Sequence, residues 1–274
     1  MVPPPSPGLS EVGLEAGGDP ALLAVRSLSK SYAGVRAVAD LSFDLSHGQI
    51  MGVLGPNGAG KSTLFKTIAG YVHQNHGSIF LAGHRLDRLA PHVRAGLGIR
   101  LVFQQPKLFE GMSVYENLLS GLFLRGRSGF VAAMLRLPGH FRDERTGREA
   151  AHLALERFGL TSVADSTATS LPFGLQRRVA VARSAIAGDR LLMLDEPAAG
   201  LTGGERDDLR ELLAGLPGLG MTLMVIEHDV RFVAALAQSL LVMDMGAVIA
   251  DGEPARVLRD PRVVAAYSGI DVTC

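Results

Sequence analysis

The stretch that constrains this chain most is Gly55-Pro56-Asn57-Gly58-Ala59-Gly60-Lys61-Ser62-Thr63. Its spacing, Gly-x4-Gly-Lys-Ser, is that of a phosphate-binding loop. It stands where such a loop must, after the apolar run Ile50-Met51-Gly52-Val53-Leu54 and before Leu64-Phe65-Lys66-Thr67-Ile68-Ala69. The spacing predicts a strand over 49–54 and a helix over 61–69 that stops at Gly70. Three physical demands meet here. Glycines let the backbone turn several N–H groups toward one anion, and the new helix aims its positive end at the same place. Lys61 supplies a cation for β- and γ-phosphates, and Ser62 a hydroxyl for Mg²⁺. The plainer alternative is a Gly-rich turn that matches by accident, against which the flanking strand and helix count. Residues 55–63 are therefore read as a nucleotide triphosphate site.

Composition sets outer bounds. The chain has 274 residues, 47% hydrophobic and 20% charged, enough to bury a substantial core. Its 27 basic and 27 acidic residues cancel, so the balance asks for neither nucleic acid nor an anionic membrane. The Arg177-Arg178 pair and the arginines between 136 and 148 read as solvated helix faces. The single cysteine, Cys274, is the last residue, which suits a reducing compartment and excludes an internal disulfide. No apolar run approaches the roughly 20 residues that span a bilayer. Residues 1–20 read as a disordered, proline-rich tail with no signal-peptide character. Work at a membrane would be as a peripheral subunit.

Along the chain, 22–45 alternates like antiparallel strands, with strands at 23–28 and 42–45 and a turn over 29–34. Tyr32, in that turn, is either an adenine-stacking ring or a half-buried strand-end tyrosine; spacing leaves both open. Further strands are expected at 77–84, 98–103, 191–194, 221–226, 240–244 and 248–252. Helices are expected at 114–122, with Ser113 and Glu116 as a capping box, at 176–187 and from Thr202 to Leu213. Others are expected at 230–238, 253–258 and 261–267. Between them, 121–170 is rich in Arg, Ala and Leu with Gly/Pro breaks, Pro138-Gly139 among them, and reads as an inserted helical portion.

Asp195 and Glu196 close an apolar strand, as a buried parallel strand delivers acids to the carboxyl edge of a sheet. Asp195 is placed to hold the Mg²⁺ that Ser62 also touches, and Glu196 to orient and deprotonate a water for in-line attack. A helix cap is the plainer role for such a pair. His228 and Gln104 also end apolar strands. His228 is read as the γ-phosphate sensor, and Gln104 as a bridge to Mg²⁺ or water on a moving loop.

The order of these motifs, with Leu171-Pro172-Phe173-Gly174-Leu175-Gln176, Asp195-Glu196-Pro197 and Glu227-His228-Asp229, resembles the nucleotide-binding subunit of an ABC transporter over about residues 22–268. The finer likeness is to the branched-chain amino acid importer subfamily. It rests on Asp195-Glu-Pro-Ala-Ala-Gly-Leu201, Gln176-Arg-Arg, the insert around 135–148 and Asp260-Pro-Arg-Val-Val-Ala-Ala-Tyr267. The resemblance implies an α/β P-loop NTPase cassette with a mixed, largely parallel sheet core, an N-terminal antiparallel β subdomain and an inserted α-helical subdomain. It implies one ATP-binding domain over 21–274, with the helical subdomain at about 105–188 and a helical ending at 253–274. It implies ATP and Mg²⁺ as cofactors and hydrolysis coupled to transport. Two such subunits would pack head to tail, each ATP between one phosphate loop and the partner's 171–176, so that Phe173, Gly174, Leu175 and Gln176 count as nucleotide contacts. Permease subunits, a solute-binding protein acting indirectly and the cytoplasmic face of the membrane follow from the same likeness.

Two stretches depart from the family pattern. Pro172 and Phe173 stand where a serine and a glycine are usual, so no hydroxyl reaches the partner's γ-phosphate. Thr202 stands where an acidic residue or asparagine is usual and reads as a helix N-cap. Competing readings are a soluble ABC ATPase, a weakly hydrolysing regulatory partner, and a GTPase or small-molecule kinase. Against the GTPase, no Asn-Lys-x-Asp stretch occurs.

Overall fold

The structure is a computed structural model that describes residues 21–122, 138–186 and 190–267. The expected tail, the start of the Arg-rich insert, the Gly188 helix stop and Cys274 lie outside the described residues. Two sheets form. Strands β1 (Leu23–Tyr32), β2 (Val35–Leu45), β4 (His76–Leu81) and β5 (His84–Arg85) build an antiparallel sheet in the order β2-β1-β4-β5. Strands β3 (Ile50–Leu54), β6 (Ile99–Val102), β7 (Leu191–Asp195), β8 (Thr222–Ile226), β9 (Ser239–Asp244) and β10 (Ala247–Gly252) build the second, ordered β10-β9-β3-β8-β7-β6. Its neighbours are parallel except for the β9–β10 hairpin.

The central strands of the second sheet, β3, β7, β8 and β9, are covered on both faces, which is why they run apolar rather than alternating. Ile50, Leu54, Leu192, Leu194, Leu223, Val225, Leu240 and Val242 face one core. Helices α3 (Val114–Ser120), α4 (Pro138–Arg157), α5 (Phe173–Ala185), α6 (Gly203–Gly215) and α7 (Val230–Leu236) share that core. Met51, Val53, Leu191, Met193, Met224, Ile226, Leu241 and Met243 face the other, with α1 (Lys61–Ile68) and the antiparallel sheet. Alternate side chains of one strand thus serve two cores. The short helices α8 (Pro254–Val257) and α9 (Pro261–Tyr267) follow the hairpin.

Four expectations shift. β1 continues through the expected turn to Tyr32, pairing Lys30 with Val38, Ser31 with Arg36 and Tyr32 with Val35; the reversal falls at Ala33 and Gly34, both at positive φ. Bulges around Ser27 and Asp40 (φ 46° and 48°) keep the long pairing in step. Gly139, expected with Pro138 as a break, lies inside α4, which runs Pro138–Arg157. A further helix, α2 (Pro91–Gly96), has no periodic apolar face; it is held by buried Arg94, whose guanidinium donates to the carbonyls of Thr67 and Ile68 at 2.8 Å, capping α1. Finally, α5 starts at Phe173 rather than Gln176, with Pro172 as its N-cap. Two expected helix starts hold: Ser113 and Glu116 exchange both capping-box bonds, and Thr202 is the N-cap residue of α6, its N–H and hydroxyl both donating to Glu205.

Candidate active site

The phosphate loop joins β3 to α1 at the carboxyl edge of the parallel sheet. Two glycines are indispensable on steric grounds. Gly55 has φ 147° and Gly60 φ 99°, and a Cβ would lie 2.1 Å from the Met243 carbonyl oxygen at the first and 2.0 Å from the Ala37 carbonyl oxygen at the second. Both obstacles are backbone, so neither yields. Lys61 is buried, and its Nζ donates to the carbonyls of Gly55 (2.7 Å) and Pro56 (2.9 Å) across its own loop. Burial pulls the ammonium below its usual range, while Glu196 and Asp195 pull it back up. Asn57, Gly58 and Ser62 are exposed, Thr63 is half-buried and Ala59 is buried.

Gln104, Glu196 and His228 converge although distant in sequence. Each follows a strand end of the same sheet, β6, β7 and β8 being neighbours. Glu196 Oε2 accepts from Gln104 Nε2 at 2.7 Å, and His228 Nε2 lies 2.7 Å from Glu196 Oε1. A carboxylate only accepts, so this contact is a hydrogen bond when Nε2 carries the imidazole proton. Glu196 has φ 48°, a left-handed conformation uncommon outside glycine, and its N–H donates to the Ile226 carbonyl at 2.9 Å. That turn separates Glu196 from Asp195, the last residue of β7. Burial, then the Glu196 charge, raise the Asp195 carboxyl above its usual range; Lys66, Lys61 and His228 oppose this.

Two charged residues that the sequence did not mark also belong here. Arg177 is buried, not on a solvated face; successive helix residues point about 100° apart, so Arg178 alone reaches outward, to Asp208 at 2.6 Å. Arg177 Nη1 donates to the Phe103 carbonyl at 3.0 Å, directly before Gln104. Its Nε and Nη2 make no hydrogen bond, and burial lowers its pKa against the pull of Glu227, Glu196 and Asp195. Glu227 is also buried, with burial raising its carboxyl. The loop beyond Gln104 is fastened to the helices: Arg183 donates to the Lys107 carbonyl and stacks on Phe109, and the Phe109 N–H donates to Asn117 at 2.9 Å. Charge alone gave no signal for either residue; what would have marked Glu227 is its place directly after a strand of buried residues.

The remaining expected contacts are more dispersed. Tyr32 ends β1 at the β1–β2 tip, where it is 45% exposed and Lys30 lies over its ring at 4.9 Å. At the head of α5, Phe173 is exposed and Arg177 lies 5.2 Å from its ring centre. Gly174 packs so closely on Glu205 that a Cβ would stand 2.3 Å from Oε1. Leu175 is half-buried against the helical core. Gln176 turns back, its amide donating to the carbonyls of Thr169 and Leu171. Pro172 offers no side-chain cap, so the first N–H groups of α5 stay open to an external acceptor.

The donor set fits a hard divalent cation. Ser62 presents an exposed hydroxyl, Asp195 a carboxylate, and Gln104 keeps its amide oxygen because only Nε2 is engaged by Glu196. All three are oxygen donors, the set Mg²⁺ takes alongside substrate phosphates.

A family profile described as ABC transporter matches residues 38–199. Over 249 residues the chain is 36% identical to the high-affinity branched-chain amino acid transport ATP-binding protein BraF of Pseudomonas aeruginosa, covering 90% of this chain and 98% of the relative. It is 33% identical over 251 residues, 92% of this chain and 98% of the relative, to the lipopolysaccharide export system ATP-binding protein LptB of Escherichia coli K12. Among solved structures, the ADP conformation of MJ1267, an ATP-binding cassette of an ABC transporter, matches with a TM-score of 0.78 and 29% identity, over 91% of this chain and 99% of that one.

Proposed function

We propose that this chain, which belongs to the ABC transporter family of ATP-binding subunits, is the ATP-hydrolysing subunit of an importer for branched-chain or related amino acids. The observation that carries the catalytic part is Glu196 held between Gln104 and His228, each at 2.7 Å, at the sheet edge that bears the phosphate loop. Each carboxylate oxygen has a further lone pair, so a water can still donate to it. With the Glu196 side chain 20% exposed, solvent reaches it. Glu196 takes the water's proton as the water oxygen bonds the γ-phosphorus and the bond to the β–γ bridging oxygen breaks, releasing ADP and phosphate. His228 fixes the carboxylate and senses the phosphate, and Lys61 leaves its loop carbonyls for the β- and γ-oxygens. Ser62, Asp195 and Gln104 would hold Mg²⁺, which neutralises charge building on the phosphate oxygens. Tyr32 serves as the adenine platform, its ring exposed on the hairpin whose Ala37 carbonyl borders Gly60.

The phosphate loop is half a site, and residues 171–176 of a second cassette, with the open N–H groups of α5, supply the other half. The loop after Gln104, tied to α3 and α5, passes the motion to permease subunits at the cytoplasmic face. A solute-binding protein acts upstream of them. No helix among the described residues is long and apolar enough to cross a membrane, which fits a peripheral subunit. Residues 21–274 act as one ATP-binding domain, with 105–188 as its helical subdomain and 253–274 as its helical ending. Branched-chain amino acids and import rest on the likeness to BraF; LptB, at similar identity, serves export.

Steady-state hydrolysis tests the catalytic reading. Mg²⁺-dependent turnover in Glu196→Gln is expected to fall by about 100-fold or more, since a positioned general base contributes on that order, while ATP-bound dimers accumulate. Undiminished turnover would remove Glu196 from the role of base.

A further inference from the structure

Glu227 follows the last residue of β8 and is only 3% exposed, an expensive place for a carboxylate. Both of its oxygens accept backbone N–H groups from different segments. Oε1 takes the Ala198 N–H at 2.6 Å, two residues past Glu196, and Oε2 takes the His228 N–H at 3.2 Å. These bonds oppose the burial that raises its pKa. A carboxylate is the side chain of this length with two acceptor oxygens and no donor. A glutamine can serve only one of the two N–H groups and turns its own NH₂ toward the other. The Glu196–Ile226 backbone bond joins the same two segments one step earlier. Glu196 itself sits at a positive φ, a conformation that persists only where the surroundings impose it.

We propose that Glu227 is a positioning residue that fastens the loop following Glu196 to the strand end bearing His228. The base and its imidazole partner then keep their spacing as one unit. This rests on the ATPase reading above, but its structural half does not. Ala198 is buried, so its N–H has no water to replace the lost acceptor.

The test compares the full chain with Glu227→Gln and Glu227→Asp; the second keeps the charge but withdraws both oxygens by one methylene. Amide exchange in nucleotide-free protein is expected to quicken at Ala198 by about 10- to 100-fold in Glu227→Asp, the range set by one unsatisfied buried donor, and at either Ala198 or His228 in Glu227→Gln, whose single acceptor oxygen serves one of the two. Turnover per site is expected to fall roughly 10-fold while KM for ATP stays within about twofold, because the geometry of the base is disturbed and the phosphate loop is not. Unchanged exchange at Ala198 in Glu227→Asp would overturn the proposal, as would quickened exchange with unchanged turnover. Two variants that fail to fold would make the carboxylate a purely structural group and overturn it as well. If the unsubstituted chain does not hydrolyse ATP, the ATPase reading fails and the exchange measurement alone decides the tether.

Discussion

On the function proposed above, two helix starts in this molecule meet phosphate, and they are built on opposite plans. At the head of α1 the backbone is locked: Gly55 and Gly60 sit at positive φ against carbonyl oxygens of neighbouring strands, and Lys61 is folded inside. At the head of α5 the obstacles are side chains. Gly174 faces the flexible end of Glu205, Phe173 leans toward Arg177, and Gln176 braces its own approach loop. The first is completed by its own chain. The second keeps its leading N–H groups open, and Pro172 adds nothing to them. A locked loop suits a ligand that always docks in the same place, and an adjustable one suits a surface that must meet another subunit.

Substitutions at matched glycines test that contrast most strongly. Gly60→Ala must force a methyl into the Ala37 carbonyl at a left-handed residue, so a loss of more than ~2 kcal/mol in unfolding free energy is expected. ATP affinity is expected to fall at least about 10-fold with it, because a shift of the carbonyls that hold Lys61 misplaces the cation. Denaturant unfolding and nucleotide titration check both; a stable, tightly binding variant would show that the loop is not locked.

Pro172→Ser sharpens the comparison from the other side. A serine N-cap contributes about 1 kcal/mol, and loss of proline rigidity removes about 0.4–1 kcal/mol, so stability should barely move. Turnover is then expected to rise roughly threefold to tenfold if a hydroxyl to the partner's γ-phosphate is what the head of α5 lacks, in line with one hydrogen bond to a charged group. Unchanged turnover would show that the N–H groups alone complete the site. Gly174→Ala is the smallest effect. Glu205 can swing away, and the loss of its bonds to the Thr202 N–H and hydroxyl is offset by alanine's better helix propensity. Thermal unfolding should stay within about 1 kcal/mol of the parent. A loss as large as that of Gly60→Ala would erase the distinction between the two helix starts.

Much of this was legible beforehand because it is local. A glycine at positive φ, a Ser113–Glu116 capping box and a run of buried strand residues are each specified within a few positions, and the strand–loop–helix order placed Lys61 and Ser62. Charge in the interior was not legible. Arg177 sits in a run that looks solvated, and Arg94 in a segment without an apolar stripe. Each is inside because a helix end or a strand end presents carbonyls there, which only packing arranges.

What the chain by itself determined is the chemistry on offer: a phosphate cradle, acids and an imidazole at the ends of apolar strands, and a helix start without its usual hydroxyl. Sheet order alone decided which of these meet. Gln104, Glu196 and His228 belong to strand ends separated by long stretches of sequence, and they touch because β6, β7 and β8 lie side by side in parallel. Parallel neighbours bring their carboxyl ends to one edge, but the order in which they line up is set by the two cores that clasp the sheet, and no local pattern carries that.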